Sequence, residues 1–118
     1  MPQVFKTKHF ASAAAKAAIT DDELCDAIKQ VMQGQADDLG GGVWKKRLNE
    51  NLHRSIILAK GRDYWVYQFL FAKKDMDNIS KRELAAFKQL AKAYERLTDV
   101  EIKALLKRRE FVRIICNG

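Results

Sequence analysis

Between Val43 and Lys74 the chain carries Lys45, Lys46, Arg47, Arg54, Lys60, Arg62, Lys73 and Lys74 against two acids, Glu50 and Asp63. Eight bases less two acids leave that stretch at +6, while all 118 residues together come to +7. A basic excess confined to one segment is the footprint expected of a polyanion site. Cations so placed can act on a phosphodiester. Cleaving RNA without a metal takes a base for the 2′-hydroxyl, positive charge at the pentavalent phosphorane and an acid for the leaving oxygen. Arginine suits the middle task, because its planar fork holds its donors in fixed directions. Lysine supplies the base only where neighbouring cations depress its pKa.

On this reasoning Arg54, Lys73 and Lys45 are the candidate catalytic residues, and Arg47, Lys46, Lys74 and Tyr67 the candidate RNA contacts. Lys60 and Arg62 read as ordinary solvated surface cations. Arg54 and Lys73 stand apart because period-two alternation sets them beside aromatics, where an unpaired cation needs an anionic partner.

Other chemistries find less support. Gly40-Gly41-Gly42 lacks the Gly-Lys-Ser/Thr of a phosphate-binding loop and reads as a hinge between helix and strand. Asp37-Asp38 and Asp75 with Asp77 look like solvated loops, so neither a metal nor a cofactor is expected. His9 and His53 are the only histidines; both read as surface or turn residues, with His53 drawing interest through its neighbour Arg54. Cys25 and Cys116 have no metal-ligand spacing and make no disulfide framework. Cys25 falls on the apolar side of its helix and is expected as a core thiol, in a reduced, cytoplasmic protein. No apolar run approaches the ~20 residues of a membrane span, and the Ala-rich run after Lys8 is too broken for a signal peptide.

The elements that position these residues follow from pattern. Ser55 to Ala59 and Tyr64 to Phe71 are dense in strand formers, so the basic segment is expected to be an antiparallel meander. Gly61-Arg62 fits a two-residue type II′ turn, which sets Arg54 opposite Phe69, Ile56 opposite Tyr67 and Leu58 opposite Trp65. Alternation then gives one face to Arg54, Tyr67, Phe71 and Lys73, and the other to Ser55, Ile57, Val66 and Leu70. Ahead of the meander lie a short strand, Gln3 to Thr7, and an alanine-dense helix, His9 to Ala18. A second helix opens on the capping box Thr20–Glu23, with Leu24, Ile28, Val31 and Met32 in one stripe. Behind the meander, Ser80–Glu83 and Thr98–Glu101 are further capping boxes. The first opens a helix with Leu84, Phe87, Ala91 and Tyr94 inward, the second a helix with Ile102, Leu105 and Leu106 inward. Phe111 to Cys116 closes the chain as a strand. The expectation is one α+β domain over residues 1–118: a small antiparallel-rich sheet, two N-terminal helices packed on it, and C-terminal helices.

Val4-Phe5-Lys6-Thr7-Lys8, Leu39-Gly40-Gly41-Gly42, Lys45, Arg47, Arg54, Phe71-Ala72-Lys73 and Asp77-Asn78-Ile79 together resemble the RelE/HigB-like toxins of bacterial type II toxin–antitoxin systems. Glu83-Leu84-Ala85-Ala86 and Glu110-Phe111-Val112 extend the resemblance over nearly the full length. One departure stands out. Relatives of this type usually carry a longer glycine-rich loop before the central arginine, where this chain has only Asn49-Glu50-Asn51-Leu52-His53. The resemblance implies a compact RelE/ParE-like fold and an endoribonuclease that cuts mRNA, commonly on the ribosome, to inhibit translation. It also implies silencing by a cognate antitoxin protein. The family's site falls on Lys45, Arg47, Arg54 and Lys73. Two alternatives remain at this point: a ParE-like toxin acting on DNA gyrase, and a non-catalytic RNA-binding protein. A basic face exposing Trp65, Tyr67 and Phe69 is the expected dock for an antitoxin segment with acidic and apolar residues.

Overall fold

The structure is a computed structural model that describes residues 2–60 and 63–116. Its elements run β1 (Gln3–Thr7), α1 (Lys8–Lys16), α2 (Asp21–Met32), β2 (Asp37–Gly40), β3 (Val43–Leu48), β4 (His53–Lys60), β5 (Tyr64–Ala72), α3 (Lys81–Glu95), α4 (Asp99–Lys107) and β6 (Phe111–Ile114). The strands form one six-stranded sheet in the order β2-β3-β4-β5-β1-β6. All neighbours are antiparallel except β1 and β5, which pair in parallel. The α+β architecture expected from the sequence is the one observed.

Hydrophobic faces explain the layers. Phe10 and Ala14 of α1 and Leu24, Ile28 and Val31 of α2 are buried in one cluster with Ile57, Ala59, Trp65, Tyr67 and Leu70 of the sheet. On the opposite face Ile56, Leu58 and Phe71 meet Leu84, Phe87, Leu90 and Ala91 of α3. Ile102 and Leu105 of α4 close over Phe5, Tyr64 and Val66. Both faces of the central strands are therefore covered, as their continuous apolar character requires.

The helix starts behave as their sequences predict. Thr20, Ser80 and Thr98 each accept from the amide three residues on. The glutamates Glu83 and Glu101 reach back to the cap amides of Ser80 and Thr98. Glu23 departs from this pattern, since its carboxylate accepts from the Asn49 amide at the β3–β4 turn. The Thr20 cap is kept, but the reciprocal arm of its capping box is given up to fasten a turn 26 residues away.

Three expectations are corrected. Asp37 and Asp38 lie in strand β2, opposite Lys45 and Trp44, rather than in a free loop. Gly40-Gly41-Gly42 is the β2–β3 hairpin turn, not a helix–strand hinge. Gly42 has φ +83°, and a Cβ there would stand 3.0 Å from the Ala59 carbonyl oxygen, so only glycine fits. Cys25 is not a free core thiol: its sulfur is bonded to Cys116, tying α2 to the segment after β6 across 91 positions.

The register of the meander also differs. The turn at Gly61-Arg62 lies outside the described residues, but beside it Lys60 faces Tyr64 and Leu58 faces Val66, not Trp65. Between Ile56 and Ile57 the ladder shifts again, with Ile56 opposite Phe69 and Ile57 opposite Tyr67, leaving Gln68 as the extra residue of a β-bulge. A one-residue slip inverts the faces of a strand, and a second slip restores them. Residues 64–67 are therefore inverted from expectation, while 69–71 are not. Tyr67 and Val66 exchange faces; Arg54 still shares its face with Phe71, now its direct partner.

Candidate functional site

The β3–β4 register places Arg47 directly opposite Arg54, and Lys45 opposite Ile56. These three cations share the sheet face on which Val43, Ile56, Leu58 and Phe71 pack against α3. Two arginines at paired positions repel, so the arrangement costs stability unless something anionic or strongly accepting lies between or behind them. Part of the answer is local. Arg54 is 7% exposed, and its Nη1 donates to the carbonyls of Asn51 at 2.9 Å and His53 at 3.1 Å. Its Nη2 and Nε have no hydrogen bond among the described residues, and none of the carboxylates described there pairs with it. Half of the guanidinium fork is held and half is free.

The held half fixes an unusual turn. Asn49, Glu50 and Asn51 all have left-handed backbones, with φ of 53°, 51° and 73°. Such residues persist only where the surroundings over-determine them. Here the Glu23 carboxylate takes the Asn49 amide, the Leu52 amide donates to the Asn49 carbonyl, and the Asn49 side-chain amide donates to Nδ1 of His53. Arg54 completes the set. The short Asn49–His53 loop noted in the sequence is thus a tightly fastened corner.

Lys45 is held from two sides. Its Nζ lies 3.6 Å from Asp37 Oδ2 and donates to Asn78 Oδ1 at 3.3 Å. Asn78 is fixed in turn, because the Ile79 amide donates to the same oxygen. Arg47 is exposed. Lys46 points to the other face, where its Nζ donates to the Gln35 carbonyl at 3.0 Å. Burial, and then the charge of Arg47, hold its pKa below the usual lysine range. The depressed lysine that the sequence argument asks for is therefore on the face away from Arg54.

Lys73 and Lys74 follow β5 and are exposed. The Lys73 amide donates to the Leu52 carbonyl, which docks the end of β5 on the fastened corner. Both lysines line a cleft of about 640 Å³ with Lys16, Leu52, His53 and Asp77.

Tyr67 is in neither place. It has no exposed surface, lies against Phe10 at 5.1 Å between ring centres, and donates its hydroxyl to the Leu24 carbonyl. Burial raises its pKa far above the ordinary tyrosine value. The expectation that Tyr67 touches RNA is corrected, since it is a core residue pinning α2 to the sheet. Trp65 is buried too, and only Phe69 of the expected aromatic dock is partly exposed.

Lys45, Arg47 and Arg54 thus come together, with Lys73 around the corner and Lys46 behind the sheet. Sequence reasoning missed Lys16, Leu52 and His53 as cleft residues. Leu52, an apolar residue among Asn49, Glu50, Asn51 and His53, was the available signal. Lys16 gave none. A protein-family profile described as the RelE toxin of the RelE / RelB toxin–antitoxin system matches residues 2–114. No curated protein and no solved structure matches the chain.

Proposed function

The chain belongs to the RelE family of toxin–antitoxin toxins, and on that premise we propose that it is an endoribonuclease that cuts mRNA on the ribosome through the cations of the sheet face shared by Lys45, Arg47 and Arg54. As a toxin of such a system it has an antitoxin as its partner. The observation that carries the nuclease reading is Arg54: nearly buried, faced by Arg47, fixed at one edge of its fork and unoccupied at the other. A guanidinium kept in place before substrate arrives needs no reorganisation when charge builds on a phosphorane.

In this reading the 2′-hydroxyl loses its proton to a base and its oxygen attacks the phosphorus. The 5′-oxygen leaves with a proton from an acid, giving a 2′,3′-cyclic phosphate and a 5′-hydroxyl. Arg54 and Arg47 donate to the non-bridging oxygens, while Lys45 gives the leaving oxygen its proton. Lys45 is suited to this by its fixed position between Asp37 and Asn78.

The test is cleavage of mRNA by the purified chain, alone and with ribosomes, in buffer containing a chelator. The expected result is cutting that leaves cyclic phosphate ends and is strongest on ribosomes. No cutting in either condition, with loss of gyrase supercoiling, would instead establish the ParE-like alternative. RNA binding without cutting or gyrase inhibition would leave a binding protein.

A further inference from the structure

The cleft behind the fastened corner has no part in the chemistry described above. It is about 640 Å³, within the size range of small-molecule sites and ample for one nucleotide. Lys16, Lys73 and Lys74 line it against one acid, Asp77. Its wall includes Leu52, a large apolar side chain that is 60% exposed. Set among the three lysines, it offers an apolar surface on which a flat ligand can lie. His53 stands next to it. Its Nδ1 is engaged by the Asn49 side-chain amide at 3.1 Å, so the ring's other nitrogen is the one to meet a base edge.

We propose that this cleft is a nucleotide subsite that takes one base of single-stranded RNA and its phosphate, next to the residue being cut. The proposal rests on the nuclease reading and adds to it a position where the chain reads sequence. The base lies on Leu52 with an edge toward His53, and its phosphate meets Lys16 and Lys74. Unstacked bases of single-stranded RNA are recognised in this way, by a surface to lie on and a hydrogen bond at the edge. Continuity with the catalytic face is direct. His53 and Arg54 are consecutive residues of β4 on opposite faces, and the Lys73 amide is bonded to the Leu52 carbonyl. A strand passing over the corner therefore reaches both sites with consecutive nucleotides.

The experiment is an amide-resolved NMR titration of the full chain with the four ribonucleoside 3′-monophosphates, the matching nucleosides and inorganic phosphate. These ligands cannot be cut, so the readout is independent of nuclease activity. Saturable shifts at Leu52, His53, Lys73 and Lys74, stronger for at least one nucleotide than for phosphate or nucleoside, are the expected result. Leu52→Ser should weaken that nucleotide roughly tenfold, as loss of one apolar contact implies. Lys16→Glu should weaken it without changing the preference among bases. In a chain that cuts RNA, Leu52→Ser should also redistribute the cut sites. Shifts confined to Lys45, Arg47 and Arg54, equal shifts with phosphate alone, or no shifts would each overturn the proposal. Nucleotide binding in a chain that cuts nothing would uphold the subsite and sink the nuclease reading instead.

Discussion

Replacing Arg54 separates what the guanidinium does for the fold from what it does for chemistry. Arg54→Ala removes two charge-assisted bonds, to the carbonyls of Asn51 and His53. Asn51 is exposed, so water can replace one of them, and the cost to stability should be about 1.5–3 kcal/mol in all. A small domain has about 5–15 kcal/mol to lose. Even from the low end, a loss of 3 kcal/mol leaves about 97% of the molecules folded at 25 °C. Instability alone therefore lowers a measured rate by only a few per cent. Loss of one preorganised donor at the phosphorane should lower it by about 10²–10³. The two effects differ by enough to be told apart. Arg54→Lys should recover part of the stability, because an ammonium can meet one carbonyl. It should recover little of the rate, because it cannot hold one partner and present a second pair of donors. The assay is single-turnover mRNA cleavage at 25 °C, with the folded fraction of each variant taken from a denaturant melt. A folded Arg54→Ala protein cutting within about threefold of the parent would refute the reasoning. Arg54 would then be a fastener of the corner alone.

Three further outcomes are expected. Thr20→Ala, Ser80→Ala and Thr98→Ala should each cost about 0.5–2 kcal/mol in denaturant melts, with Thr20 showing whether a cap without a reciprocal glutamate is worth less. Reducing the Cys25–Cys116 bond, which spans 91 positions, should cost about 4–5 kcal/mol on the chain-entropy account; identical melts with and without reductant would show that the bond does not form in solution. Tyr67 is held neutral by burial, its folded pKa raised above its unfolded value. Its contribution to stability should thus be intact below about pH 10 and be lost as pH rises beyond that. Tyr67→Phe should flatten this alkaline limb in pH-dependent melts, at a cost of about 0.5–1.5 kcal/mol near neutrality from the lost hydroxyl bond.

Local chemistry in the sequence determined much of this protein. The caps at Thr20, Ser80 and Thr98 set the starts of α2, α3 and α4, because they depend on residues only three apart. The apolar stripes of α2, α3 and α4 face the sheet as their spacing requires. The concentration of charge between Val43 and Lys74 located the basic strands and brought Lys45, Arg47 and Arg54 to one face. Alternation succeeds there because the β3–β4 ladder runs without a break.

What the sequence could not determine depended on pairing between distant segments. Nothing local marks Gln68 as a bulge. It is selected because Tyr67 must reach the Leu24 carbonyl on one face while Phe69 packs on Phe71 and Phe87 on the other. Residues two apart can do that only if one extra residue lies between them. The Gln68 side chain is itself engaged, accepting from the Tyr94 hydroxyl. The same holds for the cysteines: their separation of 91 positions says nothing until β6 lays the chain end beside α2, with 5.5 Å between the two Cα atoms. It holds as well for the cleft, where Lys16 joins Leu52, His53 and Lys73 only because α1 ends beside the corner and the end of β5. Spacing along the chain encodes a face of one element, and a site assembled from three elements exists only once their packing sets the register between them.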